Sequence, residues 1–376
     1  MFPYIITFLL STLLLFFSDR VKVNQRNYIV ILALILPAVL AAFRANNIGT
    51  DVEVYLNPII NAALETSSFD EYLNFEWFGE WRPVLVSEFE IGFTTLVYFI
   101  ANSFGVTWTK FILQLLIIFP IYIAIKKYNK YPAWLGMLVF YLMMYNSTLN
   151  MIRQSIAISF ILLAIVYFLE NKKKYFIISF LIAVLFHKTA FILLVIVALY
   201  YWIRLKSLHH KTIIYSELYK VFIVILLAVC GLFSINLIAK LLSLIGYDSY
   251  LNYLEGKFYF LPNQLAYHAP IFLLICYNWK KWNSYEYNAR FFLALFVLML
   301  VCLQLRSINM YLGRVASFFG CFSVLIYPSL CYTSRSQTKR FLMISYLIIY
   351  LGIYWYQYYV INGIDATIPY LMLLEE

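Results

Sequence analysis

The chain predicts an all-α, polytopic integral membrane protein, and three observations predict it. Only 12% of its 376 residues are charged and 64% are hydrophobic, against roughly 25% charged in an ordinary soluble domain. Apolar runs long enough to cross a hydrocarbon layer about 30 Å thick recur from end to end, and the polar gaps between them are too short to fold alone. The polar-in, apolar-out alternation of a membrane barrel is missing, so amides buried in lipid must be satisfied within helices. One transmembrane domain over 1–376 is the simplest organisation.

The apolar runs predict spans at about 2–18, 28–43, 107–125, 133–146, 153–169, 175–187, 189–203, 220–238, 267–279, 290–305, 315–332 and 341–360. That makes about twelve crossings with both termini outside. The first run has neither a basic start nor a small-residue cleavage site and reads as a retained helix. The run 91–104 is left over. It is short for a crossing and predicts a re-entrant or interfacial helix dipping from the outer face.

Orientation follows the basic loops, which favour the cytoplasm. Arg20 to Arg26, Lys126 to Lys130, Lys172 to Lys174, Arg204 to Lys211 and Arg335 to Arg340 are such loops, and Lys280-Lys281 agrees with them. This placement accounts for most of the +10 net charge without nucleic acid. Two long loops, 45–90 and 239–267, then face outward. The first holds nine acids, including Asp51, Glu80, Glu88 and Glu90, and one base, Arg82. Its Trp77 and Trp81, with Tyr247, Tyr250, Tyr253 and Tyr259 of the second, suit either sugar stacking or an interfacial aromatic belt. Five scattered cysteines, Cys230 among them, read as packing residues.

A few polar residues break the charge rule. Arg44, Arg153, Arg306 and Arg314 fall at outer ends of helices, and His187 ends another helix on the same side. Charges near membrane depth are costly and face a cavity or a partner. An arginine fork matches phosphate oxygens, so this set fits a lipid pyrophosphate. Asn150, Arg153, Gln154 and Ala157 have the spacing of one helical stripe. Arg306 and Arg314, if helical, project to similar sides about 12 Å apart. Snorkelling or pairing with a loop acid is the plainer role for Arg44 or Arg306, and capping a short turn is the plainer role for His187.

At these positions the chain resembles the EpsG family of Wzy-like polysaccharide polymerases. The likeness rests on ordered islands: Arg44 with Ile48-Gly49-Thr50-Asp51 and Tyr55; Glu90-Ile91-Gly92-Phe93; Asn150-Met151-Ile152-Arg153-Gln154 with Ala157; Leu185-Phe186-His187-Lys188-Thr189-Ala190; Gly313-Arg314-Val315; and Ile368-Pro369-Tyr370. It departs after Arg314, where Ser317-Phe318-Phe319 stands in place of the family's frequent Tyr-Phe pair. The resemblance implies a GT-C-like glycosyltransferase of the bacterial cytoplasmic membrane, working at the outer face on undecaprenyl-pyrophosphate-linked oligosaccharide. It also implies a flippase and a chain-length regulator as partners.

For that chemistry Arg153 and Arg314 are the candidates to stabilise the departing pyrophosphate, with Arg44 assisting. Arg306, Asn150 and Gln154 are candidate substrate-binding groups. His187, Glu90 and Asp51 are candidate bases for the acceptor hydroxyl. No His-Glu-x-x-His or Asp-x-Asp motif occurs, and Asp51-Val52-Glu53 is a disfavoured option for a divalent metal, so a cofactor-free reaction is expected. A ligase shares the leaving-group chemistry. A flippase would show mid-helix polar groups on both halves, whereas here they gather at one side.

Overall fold

The computed structural model describes residues 1–79, 82–204, 219–224, 226–227 and 257–373. Glu80, Trp81, His209, His210, Cys230, most of the 220–238 span and Tyr247, Tyr250 and Tyr253 lie outside the described residues. The protein is an all-α membrane protein. Five described helices are long and apolar enough to cross a bilayer, or six if a pair bent by 43° counts as one span. The expected twelve crossings exceed that number because several apolar runs form helices of fewer than 18 residues, such as Phe2–Ser18 and Ala133–Met143.

The chain divides into two compact units, one of Met1–Phe191 with Tyr346–Glu376 and one of Ile192–Ser345. In the first unit α1 (Phe2–Ser18) packs on α2 (Val23–Ala42). Pro37 lies inside α2 and lacks the N–H that would bond the carbonyl of Ala33. The Ser11 hydroxyl from α1 donates to that carbonyl instead, at 2.7 Å. Such internal repair is what a proline needs where water is excluded.

The outer loop of 45–90 is folded. It contains a π-helical turn (Val52–Leu56), α3 (Asn57–Glu65), α4 (Phe69–Leu73) and a hairpin of β1 (Glu76–Phe78) with β2 (Pro83–Leu85). Ser68 caps α4 by accepting the N–H of Glu71. The Trp77 indole donates to the carbonyl of Val54 at 3.2 Å and stacks on Phe89, which anchors the hairpin over the π-turn. Arg82 and Glu88 form an exposed bidentate pair beside it.

α5 runs from Ile91 to Tyr128 as one 38-residue element with a break at Gly105, where φ is 80°. Residues 91–104 are thus helical as expected, and they continue into the next span through a conformation suited to glycine. α6 (Ala133–Met143), α7 (Tyr145–Asn150), α8 (Ile152–Leu169) and α9 (Lys173–Phe186) follow, with α8 packed on both α5 and α9. After the helix Gln337–Trp355 and the turn Tyr356–Ile361, residues 363–373 return to the first unit. There Met372 bridges Arg44, and the amide of Gly49 donates to the carbonyl of Ala366.

The second unit contains α10 (Ile192–Arg204), Pro262–Tyr285, Ala289–Leu303 and the bent pair Leu312–Gly320 with Ser323–Cys331. Its core is pinned by the Trp282 indole, which donates to Ser329 at 2.8 Å. At one end the Arg204 guanidinium lies 3.6 Å from the centre of the Tyr287 ring.

Candidate functional site

Helix boundaries in the first unit place three chemically active side chains together. Glu90 precedes the first residue of α5 with extended backbone. Arg153 is the second residue of α8, and His187 ends α9 in an extended conformation. Gly92 permits the approach of α5 to α9, because a Cβ there would stand 2.7 Å from the carbonyl oxygen of Leu185. The Glu90 carboxylate therefore faces across the helix ends.

One Glu90 oxygen, Oε2, accepts from Arg153 Nη1 at 2.5 Å. The other, Oε1, lies 2.9 Å from His187 Nδ1 and accepts the backbone N–H of Lys188 at 3.1 Å. Glu90 is buried, while the side chains of Arg153 and His187 each keep 21% exposure. The Arg153 guanidinium packs over the adjacent rings of Tyr55 and Phe89, at 4.7 and 4.5 Å from their centres. Its Nε is buried with no hydrogen-bond partner among the described residues. The chain thus presents a carboxylate-bound imidazole beside a partly exposed guanidinium packed on aromatic rings.

Glu90 stands one residue ahead of the α5 span. Burial by itself would raise the pKa of its carboxyl, but the His187 hydrogen bond and the Arg153 charge outweigh burial and lower it to about 2. A carboxylate whose folded pKa lies below its ordinary 4.5 adds stability above 4.5, and that stability is lost as pH falls towards about 2. The melting temperature of the purified protein is accordingly expected to drop across this acid window. Glu90→Gln should shrink the drop, as read by thermal unfolding in detergent at a series of pH values.

Asn150 and Arg153 do not share one helical stripe. The backbone of Met151, at φ −83° and ψ 61°, separates α7 from α8 and turns Asn150 away from the α8 face. Asn150 is a joint instead. Its Oδ1 accepts the Asp51 N–H at 2.8 Å and the Thr50 hydroxyl at 3.2 Å, and its Nδ2 donates to Asp365 at 3.1 Å. Asp51 directly precedes the π-turn that carries Tyr55. Gly49, at φ 90°, leaves no room for a Cβ against the carbonyl of Leu149. Gln154 stays within α8 and is buried.

Arg44 is buried among carbonyls. It donates to Ala41 at 2.8 Å and to Leu149 at 3.3 Å, the C-terminal ends of α2 and α7, where a cation complements the helix dipole. At 1% exposure it lies beneath the surface. Lys110, also buried, donates to the Arg44 carbonyl and to Asn46 Oδ1. Neither cation forms a salt bridge with a described carboxylate. In the second unit Arg306 and Arg314 occupy separate 3₁₀ turns and so do not lie on one helix. The Arg306 side chain covers Gly313, and Arg314 lies 4.8 Å from the centre of the Tyr311 ring.

Two charged residues of the first unit were not singled out from sequence. Lys110 is the lone charge in the apolar stretch 91–125, and Asp365 is the lone acid between Glu286 and Glu375. Isolation of a charge in an otherwise uncharged stretch was the available signal. Among the described residues, no three or more His, Cys, Asp or Glu side chains group as a metal site.

A family model described as "EpsG family" matches residues 27–372, which include every element of the cluster around Glu90. The chain belongs to the EpsG family. EpsG proteins are a family of Wzy-like polysaccharide polymerases, so this chain is a multi-pass membrane protein of a polymerase family. The islands around Glu90, Asn150–Arg153 and His187 lie in the matched range and supply the contacting groups described above. No curated protein and no solved structure matches the chain.

Proposed function

We propose that this EpsG-family protein polymerises lipid-linked glycan at the outer face of the bacterial cytoplasmic membrane, in a GT-C-like arrangement of about twelve crossings. The substrate class is undecaprenyl-pyrophosphate-linked oligosaccharide, supplied by a flippase and limited in length by a regulator. The observation that carries this reading is the Glu90 carboxylate bonded both to His187 Nδ1 and to Arg153.

The arrangement divides the work. With Nδ1–H donated to Glu90, the tautomer of His187 leaves Nε2 as the proton acceptor. In the reaction, the acceptor hydroxyl oxygen bonds to the anomeric carbon of the growing glycan as His187 Nε2 takes its proton. The bond from that carbon to the pyrophosphate oxygen breaks, and its electron pair leaves on the pyrophosphate. Arg153 is partly exposed, bonded to Glu90 and packed on aromatic rings, so its charge is positioned before the leaving group develops negative charge. Glu90 is a poor base because its oxygens already accept from three donors. It orients the imidazole and the guanidinium instead.

The test uses protein in nanodiscs with an undecaprenyl-pyrophosphate oligosaccharide, followed by gel ladder. Wild type is expected to form a ladder that survives EDTA. Arg153→Lys keeps the charge but loses the planar fork, and should slow ladder growth by about 10²-fold. No ladder, together with movement of the intact lipid across the bilayer, would replace this reading with transport.

A further inference from the structure

The geometry points to Asp365 as a positioning residue that locks the Asn150 amide and, through it, the Thr50–Asp51 turn and the π-helical Tyr55 beside Arg153. Its effect on turnover rests on the polymerase reading above.

Asp365 and Ala366 are consecutive non-glycine residues with left-handed backbone, at φ 69° and 48°. Such conformations persist where the surroundings over-determine them, and aspartate tolerates them better than most residues. Here the surroundings are specific. The carbonyl of Ala366 accepts the Gly49 N–H at 3.2 Å, Thr367 Oγ1 accepts from Asn146 at 2.9 Å, and the Tyr4 hydroxyl donates to the Thr367 carbonyl at 2.8 Å. The strained turn places a half-buried carboxylate against α7. Its Oδ2 accepts the Ser147 hydroxyl at 2.5 Å and its Oδ1 accepts Asn150 Nδ2 at 3.1 Å.

An ionised carboxylate only accepts hydrogen bonds, so the amide nitrogen of Asn150 must face Asp365. Its oxygen then faces the Asp51 N–H and the Thr50 hydroxyl, both of which donate. A flipped amide would set donor against donor at Asp51 and acceptor against acceptor at Asp365. Asp365 thus selects the orientation of Asn150 that holds the start of the π-turn. Four residues beyond Asp51, the Tyr55 ring lies against the Arg153 guanidinium. A π-turn is a rare conformation that needs support from outside itself.

Four variants test this in nanodiscs: Asp365→Ala, Asp365→Asn, Asn150→Ala and the Asp365→Ala/Asn150→Ala double variant. Hydrogen exchange of residues 51–56 is read first, because it does not depend on turnover. Asp365→Ala and Asn150→Ala should each speed exchange of the Asp51 amide by about tenfold or more, whereas Asp365→Asn, which keeps the turn, should show a smaller rise. In the ladder assay, kcat should fall by about 10- to 100-fold with KM for the lipid donor unchanged. The double variant should be no slower than Asn150→Ala, which is the coupling expected of a shared path. Faster exchange confined to residues 362–373 would overturn the proposal, as would an additive double variant. If wild type forms no ladder, the polymerase reading fails, and the exchange of residues 51–56 still decides the role of Asp365.

Discussion

Glu90→Ala is expected to unfold the helix-end cluster as well as to stop glycan transfer. The carboxylate is the common partner of Arg153, His187 and the Lys188 amide. Removing it deprives the Arg153 guanidinium of its carboxylate, while its Nε is already buried without a hydrogen-bond partner among the described residues. Breaking one side of a buried ion pair costs about 3–5 kcal/mol, and the loss of the Lys188 acceptor adds to that. Thermal unfolding in detergent should show a fall in melting temperature, and the ladder should vanish. Glu90→Gln separates the two effects. Its amide oxygen can still accept one of these bonds, so stability should partly return, while the imidazole loses its anionic partner and transfer stays slow. A Glu90→Gln protein with wild-type turnover would remove Glu90 from the mechanism.

His187→Ala should have the opposite profile. The ring is partly exposed and meets Glu90 at its edge, so its removal should leave the melting temperature within a few degrees of wild type. A positioned acid or base typically contributes about 10²–10⁴-fold, and ladder growth should fall by that factor. Binding of the lipid donor should be little changed, since the guanidinium of Arg153 remains held by Glu90 and the rings of Tyr55 and Phe89. A His187→Ala protein as fast as wild type would move the base elsewhere, with Asp51 next to be tested.

Apolar run length was sufficient to read an all-α membrane protein, the approximate bounds of most described helices and the helicity of 91–104, but not its continuation into the single long element α5. These are local properties, set by whether a segment can satisfy its own amides in lipid. The odd charges Arg153 and His187 were visible for the same reason, as polar groups where polarity is costly, whereas Glu90 stood out only as a loop acid next to the 91–104 run and within a family island. Their mutual contacts were not visible, because they depend on Gly92 letting α5 approach Leu185 and on the ends of three separate helices.

Only the tertiary structure separated residues of similar appearance. Arg44 and Arg153 share a side chain and a place at a helix end, yet one is enclosed by carbonyls and the other meets a carboxylate with 21% of its side chain still exposed. The stripe expected through Asn150 failed at a single backbone torsion, that of Met151. Asp365 gained its place through a turn held by Gly49, Asn146 and Tyr4, which are far from it in the chain. Composition and periodicity determine what must be buried in lipid. Which buried polar groups meet depends on hydrogen bonds made across hundreds of residues, and no local pattern encodes them.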